Sequence, residues 1–187
     1  SLWRLMGWTT QMGSGTAGLV GVVAPLGLAL IASCVDIRTR RIPNYLTLSG
    51  LLAGLGVQLA AGGVGGVAWS AAGMLVGFAL FMPPFLLGGM GAGDVKLLAA
   101  LGAWLGPSLI VWTALYAALA GGVLAVIVAV SRGYLGRAVK NLGVLLSTWR
   151  QAGIKPVEPM TLATSGGPRL PYSLPIAAGL MATLWFR

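Results

Sequence analysis

The sequence predicts an all-α, polytopic membrane protein: six transmembrane helices plus one helix lying on the cytoplasmic membrane surface. Three observations carry that reading. Hydrophobic residues make up 57% of the 187 positions and charged residues only 8%, against ~25% charged in an ordinary soluble domain. Mean hydropathy is +0.90. The apolar residues fall into runs close to the ~20 residues that one bilayer crossing needs. This composition excludes a water-soluble globule and a disordered chain. It also excludes a nucleic-acid reader despite the net charge of +9, because the bases form no stripe on a soluble fold.

The chain, 1–187, reads as one integral-membrane domain. The first span covers about 16–35, and a basic turn from Asp36 to Asn44 follows. The second covers about 45–61 and leads into a glycine-rich turn, Gly62 to Gly66. The third, about 68–87, contains Pro83-Pro84, which should kink its end. After the loop Gly88 to Gly93 comes a short fourth span, about 94–105. Gly106-Pro107 separates it from the fifth, about 108–130. A polar stretch over 131–169 precedes the last span, about 170–185. Gly50-x-x-x-Gly54 has the small-residue spacing of closely packed membrane helices.

Lysine and arginine collect on the cytoplasmic side of a membrane. With the Asp36–Asn44 turn placed inside, the inner segments and their flanks hold Arg38, Arg40, Arg41, Lys96, Arg132, Arg137, Lys140, Arg150, Lys155 and Arg169. Only Arg4 and Arg187 fall outside. Both termini are therefore expected outside, with the working face at the cytoplasm. Within the 131–169 loop, Gly136 to Gln151 reads as an amphipathic helix: Val139, Leu142, Leu146 and Trp149 form a stripe, and Arg137, Lys140 and Arg150 fall mostly off it. Such a helix suits the anionic inner leaflet; a substrate or partner surface is the sharper alternative.

The chain has three acids, Asp36, Asp94 and Glu158, no histidine, and one cysteine, Cys34. This excludes a disulfide framework, a four-cysteine zinc site, histidine-dependent catalytic triads and histidine-ligated metals. No metal and no cofactor are expected. Taken singly, each aspartate has a plain structural explanation. Asp94 would be a helix N-cap after a glycine turn, and Asp36 would pair with Arg38 or Arg40. Taken together, they lie at the same depth on the same side. Two close carboxylates cannot both ionise easily, so one stays protonated while the other acts as a base. Such a pair can activate a water and protonate a leaving amine. Glu158, between Pro156 and Pro159, has no such context, and Glu158→Gln is expected to retain activity.

The local contexts are Asp36-Ile-Arg38-Thr-Arg-Arg41-Ile42-Pro43-Asn44 and Gly91-Ala92-Gly93-Asp94-Val95-Lys96. This pair resembles the type IV prepilin peptidase family of bacterial inner-membrane aspartic proteases. The family's pattern is an Asp, an Arg two residues on, Ile-Pro-Asn, and later Gly-x-Gly-Asp-x-Lys. All of these positions are matched, and the resemblance covers most of the chain. Leu170-Pro171-Tyr172 also looks like the start of the family's last helix. The resemblance implies Asp36 and Asp94 as the catalytic pair, with Gly91, Gly93, Lys96, Arg38, Pro43 and Asn44 shaping the site or binding substrate. It also implies a substrate: a prepilin or pseudopilin with a short basic leader, a cleavage point after glycine, and a hydrophobic helix. Glycine at 91 and 93 would permit a tight turn and close approach to a peptide, although plain loop flexibility also explains it. Asn44 and Thr47 would otherwise cap the second span, and Lys96 would snorkel to the interface. A single cysteine cannot build the zinc-binding N-methyltransferase domain of many family members, so the short, peptidase-only branch is expected.

The nearest rival is the presenilin and signal-peptide-peptidase group, which also carries Gly-x-Gly-Asp. It needs Tyr-Asp and Pro-Ala-Leu motifs, but Val35 precedes Asp36 and no Pro-Ala-Leu occurs. A small ion-coupled transporter would place acids deep within its spans. Here they sit at helix ends or in a loop. A non-catalytic assembly partner with the same fold remains compatible with the sequence.

Overall fold

A computed structural model describes residues 16–133, 136 and 172–186. The expected surface helix beyond Gly136, Glu158, the Leu170-Pro171 pair, Arg4 and the basic residues after Arg132 lie outside the described residues. Among those described, all regular structure is helical and no strand occurs. The elements are α1 (Thr16–Thr39), α2 (Asn44–Leu86), α3 (Ala92–Ser131) and α4 (Ser173–Phe186). The first three are long and apolar enough to cross a membrane.

At 43 and 40 residues, α2 and α3 are each about twice the ~20 residues of one crossing. Each is interrupted by one glycine with a positive φ, Gly63 (φ 56°, ψ −140°) in α2 and Gly106 (φ 73°, ψ 176°) in α3, a backbone conformation that residues with a Cβ hardly ever adopt. The interruptions fold both helices back on themselves. A Cβ built on Gly66 would strike the Gln58 carbonyl, yet eight residues of straight helix would separate the two by ~12 Å. A Cβ on Gly77 would likewise lie 2.6 Å from Leu98 O and 3.2 Å from Ile110 Cγ1, which a straight α3 would hold ~18 Å apart. The described chain therefore contains six helical segments, at positions close to the expected spans.

Three details differ from expectation. The first helix runs through Asp36 to Thr39 instead of stopping near residue 35. The turn expected over Gly62–Gly66 contracts to Gly63, because the flanking glycines stay helical. Pro83 and Pro84 lie inside α2, which remains helical through them to Leu86; each removes one i→i−4 hydrogen bond only three or fewer residues before the helix ends.

The first half of α3 forms the centre of the bundle. Residues 97–106 are all buried, led by Leu97, Leu98, Leu101 and Leu105. A helix apolar on every side belongs in such a position. The outer helices expose Val23, Ile31, Leu52, Leu75, Leu119 and Ile127, the surface of a membrane protein rather than of one dissolved in water. α2 and α3 share the largest interface. It closes to backbone contact where Gly73 faces Gly102: a Cβ on either residue would strike the other's carbonyl oxygen. The Gly50–Gly54 pair also packs tightly, Gly50 against Leu28 and Gly54 against Trp104.

Three hydrogen bonds cross this interface around the α3 break, although the buried Trp69 Nε1 beside Gly106 finds no partner among the described residues. Pro107 has no N–H to give the Ala103 carbonyl, and Ser70 Oγ donates to it instead at 2.7 Å. Gln58 Nε2 donates to Trp104 O at 3.2 Å, and Trp104 Nε1 donates to Gly50 O at 2.8 Å. In hydrocarbon an unsatisfied backbone group costs several kcal/mol, so these side chains make the break tolerable. α4 packs on α3 through Gly179, which abuts Thr113 and Ala117, and through a Thr113–Thr183 hydroxyl pair at 3.1 Å.

Candidate active site

The ends of the helices bring two short turns together. At the end of α1 the Arg40 N–H bonds Asp36 O at 2.7 Å, and Arg40 adopts a left-handed φ of 53°. The Thr39 hydroxyl lies 2.9 Å from both the Val35 and Arg41 carbonyls, tying the turn to the helix. Pro43 (φ −65°, ψ 141°) then starts α2. At the start of α3, Gly91 (φ −81°, ψ 150°) is the N-cap and Asp94 is the third helical residue. Asp94 is thus not the N-cap: its carboxylate reaches back to accept the Gly91 N–H at 3.3 Å, the return half of a capping box.

Both turns line one cavity of about 440 Å³, formed by Asp36, Arg40, Arg41, Ile42, Pro43, Asn44 and the 91–94 segment. Asp36 is 7% and Asp94 8% exposed, so neither is a solvated interfacial acid, and the two are near enough to interact electrostatically. Asp36 makes no ion pair with Arg38 or Arg40 among the described residues. Its Oδ2 instead accepts a 2.7 Å hydrogen bond from Ser173 Oγ, on the first residue of α4. No group of three or more acidic, cysteine or histidine side chains gathers among the described residues to hold a metal.

The other expected site residues divide. Gly91, Gly93, Pro43 and Asn44 line the cavity. Gly91 has a φ open to any residue, whereas a Cβ on Gly93 would come within 3.0 Å of Ile42 Cβ. The bare Gly93 backbone therefore lets the two turns touch. Asn44 does not cap α2; its Oδ1 accepts from Lys96 Nζ at 2.9 Å. Thr47, also considered a cap, donates to Asn44 O at 3.1 Å. Lys96 lines a neighbouring apolar cavity of about 510 Å³ with Asn44, Leu48, Leu51, Met74 and Phe78 among its walls. Asn44 borders both spaces. Arg38 is exposed and lies off the aspartate cavity, whose basic residues are Arg40 and Arg41.

Ser173 escaped the sequence reading. It stands 137 residues from Asp36, and no spacing rule links them. The one available signal was Tyr172, which anchors the start of α4: its ring meets Phe81 edge-on at 6.0 Å and presses on the bare backbone of Gly121.

Comparison with known proteins supplies the remaining observations. A prepilin leader peptidase/N-methyltransferase of Burkholderia pseudomallei (strain 1026b) is 32% identical over 191 residues, covering 93% of this chain and 52% of that protein. Proteins of the same description from Klebsiella pneumoniae and Dickeya chrysanthemi are 42% and 38% identical over 94 residues, covering 47% of this chain and 41% and 33% of theirs. The chain thus spans about half the length, or less, of the curated relatives it matches. No solved structure matches it. The profile of the type IV leader peptidase family matches residues 23–126, more than half of the chain, with Asp36, Asp94 and both of their turns inside the match. The chain belongs to the type IV leader peptidase family.

Proposed function

We propose that the protein is a membrane-embedded aspartic endopeptidase that removes the leader peptide of type IV prepilins or pseudopilins. The observation that carries this reading is the meeting of two buried carboxylates, from motifs far apart in the chain, on one cavity at one end of the bundle. One carboxylate takes a proton from water as the oxygen attacks the scissile carbonyl. The other donates its proton, and collapse of the tetrahedral intermediate expels a protonated amine. The reaction consumes one water and leaves the pair ready to exchange protons and repeat. The apolar cavity beside the site, sharing Asn44 with it, supports a substrate whose cleavage point precedes a hydrophobic helix.

The six helical segments are taken as six crossings of the bacterial inner membrane, with the aspartates at the cytoplasmic face and the basic loops beside the anionic leaflet. Membrane co-expression with a candidate prepilin, followed by a gel shift, tests the chemistry. Asp36→Asn and Asp94→Asn should each abolish cleavage while the protein still inserts; normal cleavage by either variant overturns the dyad. Orientation is tested with a cysteine at position 91 after replacement of the exposed Cys34. Labelling of that cysteine only from the periplasm would sink the topology.

A further inference from the structure

We propose that Ser173 is a positioning residue for the dyad: its hydroxyl holds the plane of the Asp36 carboxylate and leaves Oδ1 to take the proton of the attacking water. This rests on the peptidase reading above. The hydroxyl of Ser173 is fully buried and donates to Asp36 Oδ2 at 2.7 Å, the usual length of a well-formed O–H···O hydrogen bond.

Some buried hydroxyls, such as Ser70, cross to a neighbouring helix, whereas others bond within their own. Ser33 donates to Ala29 O and Thr183 to Gly179 O, each four residues back in its own helix. Ser173 begins α4, and its proton crosses to α1. The donor is itself held in place: Tyr172 packs on Phe81 and Gly121, and its carbonyl accepts the Ile176 N–H at 3.2 Å.

The need for such a device follows from the acid. The terminal torsion of an aspartate is broad and roughly two-fold, so burial alone does not decide which oxygen faces the substrate. One donor on Oδ2 does. A misplacement of this kind acts on turnover rather than on substrate binding.

The test compares Ser173→Thr with Ser173→Val in the full chain, each purified in detergent and assayed over a range of purified prepilin concentrations, with rates normalised to folded enzyme. The two side chains have nearly equal volume and differ by a hydroxyl against a methyl. Thr should retain cleavage within a few-fold of wild type. Val should fall roughly 10- to 100-fold below Thr in kcat, with KM within about two-fold. Equal kcat for the two folded variants overturns the proposal. If the added methyl prevents folding at this buried position, Ser173→Ala decides, since it cannot overpack: wild-type kcat overturns the proposal, and a kcat loss at constant KM supports it. Cleavage by Asp36→Asn would overturn the dyad and this proposal together. An inactive Asp36→Asn beside a fully active Ser173→Ala would overturn this proposal alone.

Discussion

Replacing Gly102 by alanine should cripple the site from more than two turns away. Gly102 faces Gly73 across the α2–α3 interface. A Cβ built on it strikes the Gly73 carbonyl oxygen and lies 2.7 Å from the carbonyl carbon and 3.1 Å from Met74 N. Non-bonded carbons rest at about 3.5–4.0 Å, so the helices must part by roughly 1 Å. No flexible side chain can give way, because every obstructing atom belongs to the backbone. Overpacking of this kind costs about 1–3 kcal/mol. The movement also travels along the helix: Asp94 sits eight residues, ~12 Å, before Gly102 in the same rigid segment. A 1 Å shift of a catalytic group can cost ~100-fold in rate. The assay is cleavage of co-expressed prepilin, with thermal unfolding of the purified protein in detergent. Wild-type cleavage together with a wild-type unfolding midpoint would refute the backbone contact and its coupling to Asp94.

Two further outcomes are expected. Ser70→Ala removes the donor to the Ala103 carbonyl at the α3 break and should destabilise the folded protein by about 1 kcal/mol; an unchanged midpoint would mean that the carbonyl finds another donor. A metal chelator should leave cleavage unchanged, since a carboxyl dyad needs no metal and the chain has no histidine and one cysteine; loss of turnover restored by a divalent cation would contradict the dyad.

The helices and the two acids were legible in the sequence because each signal is local. Apolar runs mark spans by length, and Gly106-Pro107 combines the residue that accepts a positive φ with one that lacks an N–H. The basic clusters alone put Asp36 and Asp94 on one side, and both line one cavity. Details of register were harder to read. Asp94 looked like a cap, yet Gly91 takes the extended cap backbone, and the carboxylate serves it from three residues on. Gly62–Gly66 looked like a broad turn, but glycine permits a turn without imposing one, and the chain reverses at Gly63 alone. Arg38 belongs to the motif and still points away from the cavity, because two residues along a helix from Asp36 is about 200° of rotation. Ser173 was invisible for a different reason: its partner is chosen by tertiary packing, and a serine at a helix start is among the most ordinary features of any sequence.

The two aspartates are mounted on unequal supports. Asp94 rides on a segment that is continuously buried from residue 97 to 106, whereas Asp36 rides on α1, which packs more lightly and turns Val23, Leu30 and Ile31 outward. In the proposed membrane setting, lipid would press directly on one jaw of the site and hardly at all on the other. Under the proposed function, bilayer thickness and the choice of detergent would then set the gap between the two aspartates, and a preparation that keeps the bundle intact would still lose cleavage by letting α1 drift.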